Sequence, residues 1–409
     1  MNFELATPRY RLRAEGVAQR IRPRAWTGHE VGAAVSSALA RSQFVNSSRS
    51  ANRVRSAYHP QTHPIVVGAI PFDTRQPACL YIPENVNFTP VPNGDHTPSA
   101  EGFRAFADEG AGTLHITHDD PEQYRGAVVR ALESLRGGRL DKVVLARHRI
   151  VTSEKAFVPE VVFERLARRN PHAHTYRFDL GECSALNEPD VARSHGGSPS
   201  GTLIGASPEL VLATHEGMLE SFPLAGSAAR GTDEQTDQAA ARELRSSHKN
   251  LAEHRYVTTA IRGVFEEFAA DIVCPEAPEL VKTPVIWHLG TRITGRIRTG
   301  VSPMEILYAL HPTPAVCGVP RERAFELIDR LENFHRGMYA GVVGWMDARG
   351  NSEWVMALRG GVFGGELGEN QALLAAGAGV VAESHPEHEV RETEVKLRTI
   401  MAALGELRE

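Results

Sequence analysis

Apolar residues recur along this chain with two spacings, one typical of helices and one typical of strands. After Asp119–Asp120 they fall every three or four positions as far as Gly137–Gly138, which predicts an amphipathic helix with an acidic start and a glycine end. Its buried stripe consists of Tyr124, Val128, Leu132 and Leu135. Shorter helices are predicted over Val31 to Ala40, Pro159 to Arg169 and Pro303 to Leu310.

Strands are predicted where β-branched and other apolar residues form short runs. The clearest runs are VVGAI, CLYI, LDKVVLARHRIV, TLIGASPELVLAT, MLESFPLAGSAARG and VIWHLGTRITGRI. Tyr339 to Trp345 and Glu353 to Phe363 are expected to pair antiparallel around the turn DARGN. Asn85 to Gly112 is rich in proline, glycine and asparagine and is expected to be irregular.

Strands outnumber helices and arrive in hairpin pairs, which favours an α+β fold with a large antiparallel sheet and helices on the outside. The chain has 409 residues, and no linker rich in proline and glycine divides it. We therefore expect a single structural domain, in which residues 1–114 form an N-terminal part with a hairpin and residues 115–405 form the core.

Composition and charge exclude several classes of function. The chain has 42% hydrophobic and 23% charged residues with a net charge of −5, so nucleic acid is not an expected partner. No apolar run is long enough to span a membrane, and the N-terminus lacks a signal-peptide core. The four cysteines lack the C-x-x-C spacing of a zinc site. These features predict a protein of the reducing cytoplasm.

Two glutamates lie at positions where the surrounding pattern predicts apolar residues. Gln235 to Phe268 is predicted to be mostly helical, and Glu253 falls on its apolar stripe with Val257 and Ile261. A carboxylate on a core-facing stripe must be paired or must bind a cation. Glu209 follows Pro208 inside an apolar run, and it is either an edge residue or a buried acid with a raised pKa.

Lys142 and Arg359 carry the complementary charges. Lys142 alternates with valines in its predicted strand, and it is either an edge charge or a buried amine able to act as a base. Arg359 is predicted to share a strand face with Glu353, Val355 and Ala357, and it would bind a carboxylate if that face lined a pocket. His288 lies in another predicted strand, where a satisfied core histidine is the commoner role.

The C-terminal stretch GAGVVAESHPEHEVRETEVK combines a glycine turn with a charged helix. Gly377, Ala378 and Gly379 allow the backbone to approach an anion closely. In the helix that Pro386 begins, the spacing places three charged residues on one face: Glu389, Glu392 and Lys396. Surface ion pairs are the plain interpretation, and a functional site is the alternative.

These segments together resemble the chorismate-utilising enzymes. The resemblance covers roughly residues 115 to 405 and rests on eight motifs in the family's order: DKVVLAR, GASPELV, PLAGSAARG, KNLAEHRYV, WHLGTRITG, LHPTPAVCG, GVVGWMDARGNSEWVMALR and GAGVVAESHPEHEVRETEVKL. VGAIPFDTRQPACLYIPE resembles the N-terminal signature of isochorismate synthases from siderophore pathways. The family's fold implies two stacked antiparallel sheets with helices outside.

The resemblance also implies a role for each suspected residue. Lys142 matches the base that activates water for attack at C2 of chorismate, and Glu209 matches the acid that protonates the departing C4 hydroxyl. Glu253 and Glu392 match ligands of Mg²⁺, with Glu389 nearby. The remaining matches are to residues that bind substrate: Gly226, Ser227, His288, Ala315, Tyr339, Arg359, Gly377, Ala378, Gly379 and Lys396.

Two alternatives to isochorismate synthesis remain open. Relatives that eliminate pyruvate or use ammonia commonly have threonine where this chain has Ala315, so we expect the reaction to stop at isochorismate and keep salicylate synthesis as the alternative. A catalytically silent chorismate-binding protein is the alternative of another class.

The sequence departs from the family pattern at two places. Asn250 stands where relatives often have an acid, and residues 182–200 form a loop longer than usual. We expect a monomer, because no heptad is visible.

Overall fold

The computed structural model describes residues 1–42, 63–91, 113–181 and 200–405. All strand pairs in these ranges are antiparallel. They form one ten-stranded sheet, one nine-stranded sheet and one three-stranded sheet. The predicted α+β class with large antiparallel sheets is therefore confirmed. Residues 182–199 of the predicted loop and residues 92–112 of the predicted irregular segment lie outside the described residues.

The ten-stranded sheet carries the C-terminal glycine stretch near one edge. Its strands, in order across the sheet, are β18 (Gly318–Val319), β8 (Lys142–Ser153), β22 (Gln371–Val380), β21 (Gly360–Phe363), β10 (Thr202–Ser207), β9 (His174–Asp179), β1 (Asn2–Ala6), β2 (Tyr10–Glu15) and β6 (Asn85–Pro90), with β7 (Leu114–Asp119) also paired to β8. The segment from Asn85 to Pro90 is thus a strand and not irregular, because it completes a sheet edge and packs Phe88 against Tyr10 and Trp345.

The other two sheets face the first. The nine-stranded sheet runs β14 (Ala269–Val273), β17 (Ile293–Ile297), β12 (Met218–Phe222), β11 (Leu210–His215), β20 (Ser352–Met356), β19 (Val342–Asp347), β4 (Ile65–Ile70), β5 (Cys79–Ile82) and β3 (Gln19–Arg20). The small sheet runs β13 (Leu224–Ala229), β16 (Ile286–Gly290) and β15 (Glu279–Lys282). A buried cluster that includes Phe3, Phe178, Val67 and Trp345 fills the space between the two large sheets, as expected for stacked sheets.

Eight α-helices of the described residues cover the outer faces. They are α1 (Gly28–Arg41), α2 (Pro121–Arg136), α3 (Pro159–Arg169), α4 (Glu234–Ser246), α5 (His248–Phe268), α6 (Pro303–Leu310), α7 (Arg321–Leu331) and α8 (Pro386–Leu404). The Asp120 side chain accepts from the Gln123 N–H at 2.8 Å, so the predicted acidic helix start is a true cap. None of the helices in the described ranges is long and apolar enough to cross a membrane.

Four segments predicted as single strands instead cross from one sheet to another. Their crossing points are Pro208–Glu209 between β10 and β11, Pro223 between β12 and β13, Thr291–Arg292 between β16 and β17, and Ala357–Arg359 between β20 and β21. Proline cannot donate to a strand ladder, which explains two of the breaks. Arg359 has a φ of 55°, so it leaves the face that Glu353, Val355 and Ala357 were predicted to share with it.

The glycine stretch is also different from the prediction. Gly377 to Gly379 do not form a turn but continue β22, where they pair with Ala146, Leu145 and Val144 of β8. A missing side chain in a strand allows another group to approach the backbone. The helix α8 begins six residues after Val380, the last residue of β22, at Pro386 as predicted.

Candidate active site

A narrow cavity of about 50 Å³ lies where the crossing segments meet β8 and β22. Twelve of the fifteen residues proposed from the sequence line it. These are Glu209, Gly226, Ser227, Glu253, His288, Ala315, Tyr339, Arg359, Gly377, Gly379, Glu392 and Lys396. The other three, Lys142, Ala378 and Glu389, are buried beside it. Ala378 lies between two glycines that line the cavity, so strand alternation directs its methyl group to the opposite face.

Lys142 is fully buried at the first position of β8. Its Nζ lies 3.0 Å from Oε1 of Glu253 on α5. The edge-charge interpretation of Lys142 is therefore wrong, and Glu253 is the paired acid that its position on the apolar stripe predicted. The pair joins the largest sheet to a helix on the opposite side of the cavity.

Gly379 makes this pair possible. A Cβ atom built on Gly379 would lie 2.1 Å from Oε1 of Glu253 and 3.1 Å from Cε of Lys142. The first distance is incompatible with a side-chain contact and the second is unusually short, so the backbone of β22 comes this close because residue 379 has no side chain.

Glu209 is a buried acid at the crossing between β10 and β11. Burial raises its pKa to about 7, although Lys142 and Arg359 act in the opposite direction. The proline before it ends one strand, and the Ser207 hydroxyl accepts from the Glu209 N–H at 3.2 Å. A carboxyl group with a pKa near neutrality can donate a proton under physiological conditions.

Arg359 and His288 form a second polar group on the cavity wall. The Arg359 guanidinium donates to Nε2 of His288 at 3.1 Å. Burial and the Arg359 charge hold the pKa of His288 well below its usual range, so the imidazole is neutral and can accept this bond. The Tyr339 hydroxyl stands nearby, and burial raises its pKa to about 12. An arginine and a phenol side by side suit a carboxylate ligand.

Glu392 and Lys396 face the cavity from α8. Their carboxylate and ammonium groups are 2.7 Å apart, and Lys396 also donates to the Gly377 carbonyl at 2.8 Å. Burial alone would raise the pKa of Glu392, but Lys396, Lys249 and a hydrogen bond from Ser227 together hold it below its usual value. Glu392 is therefore ionised.

Glu389 lies one turn earlier on α8 and is fully buried. Its Oε1 accepts from Lys249 at 2.7 Å, while Oε2 is buried and has no hydrogen-bond partner among the described residues. Burial and the nearby Glu392 charge raise the pKa of Glu389. Within the described residues, Oε2 is therefore still able to accept a hydrogen bond or to contact a cation.

The three carboxylates predicted to bind metal share one neighbour. Burial would lower the pKa of Lys249, but the charges of Glu389, Glu392 and Glu253 outweigh it and raise that pKa. Across the described ranges, no three acidic, histidine or cysteine side chains are close enough to hold one ion in the present arrangement. The donor set nevertheless fits a small divalent cation, because it offers three carboxylates around one positive centre and one unpartnered oxygen.

A larger cavity of about 700 Å³ adjoins the first and shares Pro208 and Arg359 with it. Of the residues proposed from the sequence, it contains only Arg359. Acid–base chemistry needs the converging charges more than it needs volume, so we place the site in the smaller cavity.

Two residues near the cavity were missed by the sequence reasoning. Lys249 lies four positions before Glu253 on the same helix face, a spacing that could have indicated it. Arg336 lines the cavity from an irregular segment between α7 and β19, where no periodic pattern marks it. Asn250, the predicted departure, donates to the Ser247 hydroxyl in the first turn of α5.

Comparison with known proteins gives a family and named relatives. A family model described as "Chorismate binding enzyme" matches residues 104–405. The chain is 38% identical over 347 residues to the isochorismate synthase DhbC of Bacillus subtilis, covering 84% of this chain and 82% of the relative. It is 37% identical over 347 residues to the isochorismate synthase EntC of Escherichia coli, with the same coverage.

A solved structure of a putative isochorismate synthase is also similar to this chain. The putative 2,3-dihydroxybenzoate-specific isochorismate synthase DhbC of Bacillus anthracis superimposes with a TM-score of 0.81 and 33% identity. The match covers 98% of this chain and 96% of that structure. The whole arrangement of sheets and helices, and not the core alone, is therefore similar between the two chains.

Proposed function

The chain belongs to the chorismate-binding enzyme family, and from that premise we propose that it converts chorismate to isochorismate with Mg²⁺ as cofactor. One observation carries the proposal most strongly. Glu209 has a pKa raised to about 7 by burial and faces the same cavity as Arg359 and the acidic residues Glu253 and Glu392. A proton donor, a carboxylate-binding arginine and a set of metal-type ligands are what this reaction needs.

The names of the relatives support the same activity. The two sequence relatives described above are isochorismate synthases, and the structural neighbour is a putative one. The name of that neighbour describes it as 2,3-dihydroxybenzoate-specific. We propose that this chain supplies a siderophore pathway. The N-terminal signature VGAIPFDTRQPACLYIPE supports this choice.

The reaction is an isomerisation in which water enters and water leaves. Lys142 acts as the general base: it accepts a proton from a water molecule as the oxygen bonds to C2 of the ring. The double bonds shift, the C4–O bond breaks, and Glu209 gives its proton to the departing hydroxyl. Each acid–base group of this kind contributes about 10²–10⁴ in rate. The substrate and product have the same composition.

Two regions of the cavity suit the two carboxylates of chorismate. Arg359 and Tyr339 would bind the enolpyruvyl carboxylate, with the backbone of Gly377 and Gly379 beside it. Glu253 and Glu392 would hold the magnesium ion, and Glu389 would contact it through water. A bound divalent cation neutralises the ring carboxylate and orients the ring. Lys396 balances the remaining charge and fixes Glu392.

The end point of the reaction rests on Ala315. Its methyl group lines the cavity, and it provides no hydroxyl where relatives that eliminate pyruvate commonly have threonine. We therefore propose that the product is released as isochorismate. We also propose that the protein is a cytoplasmic monomer, because no heptad pattern is visible in the sequence.

Product analysis tests this function. The purified protein is incubated with chorismate and Mg²⁺, and the products are separated by liquid chromatography. We expect isochorismate in equilibrium with chorismate. Salicylate with pyruvate would favour the salicylate synthase alternative, and the absence of any product, with chorismate binding retained in calorimetry, would favour a silent chorismate-binding protein.

A further inference from the structure

We propose that the buried pair Glu332–Arg336 is a positioning element that fixes the Lys142 strand against the Ala315 loop. The inference rests on the proposed function, because it concerns the geometry of that same cavity. Glu332 follows the last residue of α7, and Arg336 lies in the segment leading to Tyr339. Both side chains are buried, with exposed fractions of 2% and 3%.

Arg336 connects two backbone segments that flank the cavity. Its guanidinium donates to the Val144 carbonyl and to the Val316 carbonyl, both at 2.7 Å. Val144 lies two residues after Lys142 in β8, and Val316 directly follows Ala315. The planar guanidinium presents its donors at fixed angles. These two bonds therefore add a side-chain connection to the backbone bond from the Val144 N–H to the Cys317 carbonyl and extend it to the residue next to Ala315.

Glu332 completes the connection on the strand side. Its carboxylate accepts from Nε of Arg336 at 2.9 Å and from the Ala146 N–H at 2.7 Å. The ion pair therefore holds both the Val144 carbonyl and the Ala146 N–H of β8. A displacement of this strand would carry Lys142 with it, and small displacements of a reacting group reduce rate strongly.

The same element reaches Tyr339 and the N-terminal part of the chain. The Tyr339 N–H donates to the Arg336 carbonyl at 2.8 Å. On the other side, the Arg336 guanidinium lies 4.3 Å from the centre of the Phe72 ring, a cation–π distance. Phe72 in turn stacks on Phe325 of α7 at 5.3 Å. Residue 72 lies outside the family match at 104–405, so the N-terminal part contributes to the geometry of the cavity.

Arg336→Lys tests the proposal, with Arg321→Lys as the matched control. Lysine keeps the charge but cannot reproduce the planar set of bonds. Arg321 also donates to backbone carbonyls, those of Ala309 and Leu310, but it does not line the cavity. For Arg336→Lys we expect kcat to fall about 10- to 100-fold. KM for chorismate should change less than about threefold, and Tm should fall no further than in the control.

Other results would overturn the positioning role. Equal kcat in Arg336→Lys and Arg321→Lys would do so, as would a kcat loss that merely follows a larger fall in Tm. If Arg336→Lys does not fold, Glu332→Gln decides the question, because it keeps the shape and removes the charge, and an unchanged kcat would refute the proposal. A wild-type protein without turnover would instead refute the proposed function.

Discussion

A Cβ atom on Gly379 would lie 2.1 Å from the Glu253 carboxylate oxygen that contacts Lys142. Glycine is thus needed at this position because a side chain would collide with Glu253, and not because the chain turns there. Lys142 is the first residue of one strand, Glu253 belongs to a helix and Gly379 belongs to a second strand. Their contact defines the side of the cavity on which the proposed base acts.

Gly379→Ala should displace Glu253 and separate it from Lys142. We expect at least a 10²-fold loss of turnover, since a misplacement of about 1 Å can have that effect. Steady-state kinetics with chorismate would measure it. Gly263→Ala is the control, because a Cβ there meets no atom within 4 Å and alanine favours the helix. Equal activity of the two variants would show that the Glu253 position is unimportant.

Glu209→Gln should remove the proton donor. We expect kcat to fall about 10²–10⁴-fold with the fold intact. In the wild type, kcat/KM should decline as the pH rises through about 7, because Glu209 has its pKa there and acts in its protonated form. That decline should be absent in the residual activity of Glu209→Gln. Glu220→Gln, on the adjoining cavity, should keep the wild-type profile.

The same carboxyl group should make stability depend on pH. The pKa of Glu209 rises from 4.5 in the reference state to about 7 in the fold, so the folded protein binds more protons in this window and loses stability as the pH rises through it. Relative to the wild type, Glu209→Gln should gain up to about 3 kcal/mol between pH 4.5 and 8. Denaturant unfolding at several pH values measures the difference, and parallel curves would contradict the assignment.

Removal of divalent cations should abolish turnover. EDTA should stop the reaction and added Mg²⁺ should restore it. Glu392→Gln should weaken Mg²⁺ binding, measured by calorimetry, more than Glu389→Gln, because Glu389 is expected to act through water. Full activity in EDTA, or a larger effect of Glu389→Gln, would contradict the proposed ligand roles.

The sequence indicated site residues most clearly where a charged residue falls at a position that the hydrophobic periodicity assigns to the core. Glu253 on an apolar stripe and Lys142 among valines were recognisable because burial of an unpaired charge is unfavourable. The strand crossings were not predicted, since an apolar run has the same pattern whether it stays in one sheet or changes to another. Pro208 and Pro223 were the available signals, and both mark crossings.

The glycine stretch and Arg336 are two features that the sequence does not predict correctly, each for a different reason. Glycine favours turns, but Gly377 and Gly379 are in a strand where another group approaches the backbone. Arg336 belongs to an irregular segment, and its contacts are to backbone carbonyls distant in sequence. No local pattern encodes contacts of that kind.

The most direct test of the central claim is turnover of chorismate in H₂¹⁸O with Mg²⁺, followed by mass spectrometry of the isochorismate. Addition of water at C2 with loss of the C4 hydroxyl predicts one ¹⁸O atom in the new C2 hydroxyl. Isochorismate without ¹⁸O would mean that the hydroxyl moves within the molecule, and the roles assigned to Lys142 and Glu209 would be contradicted.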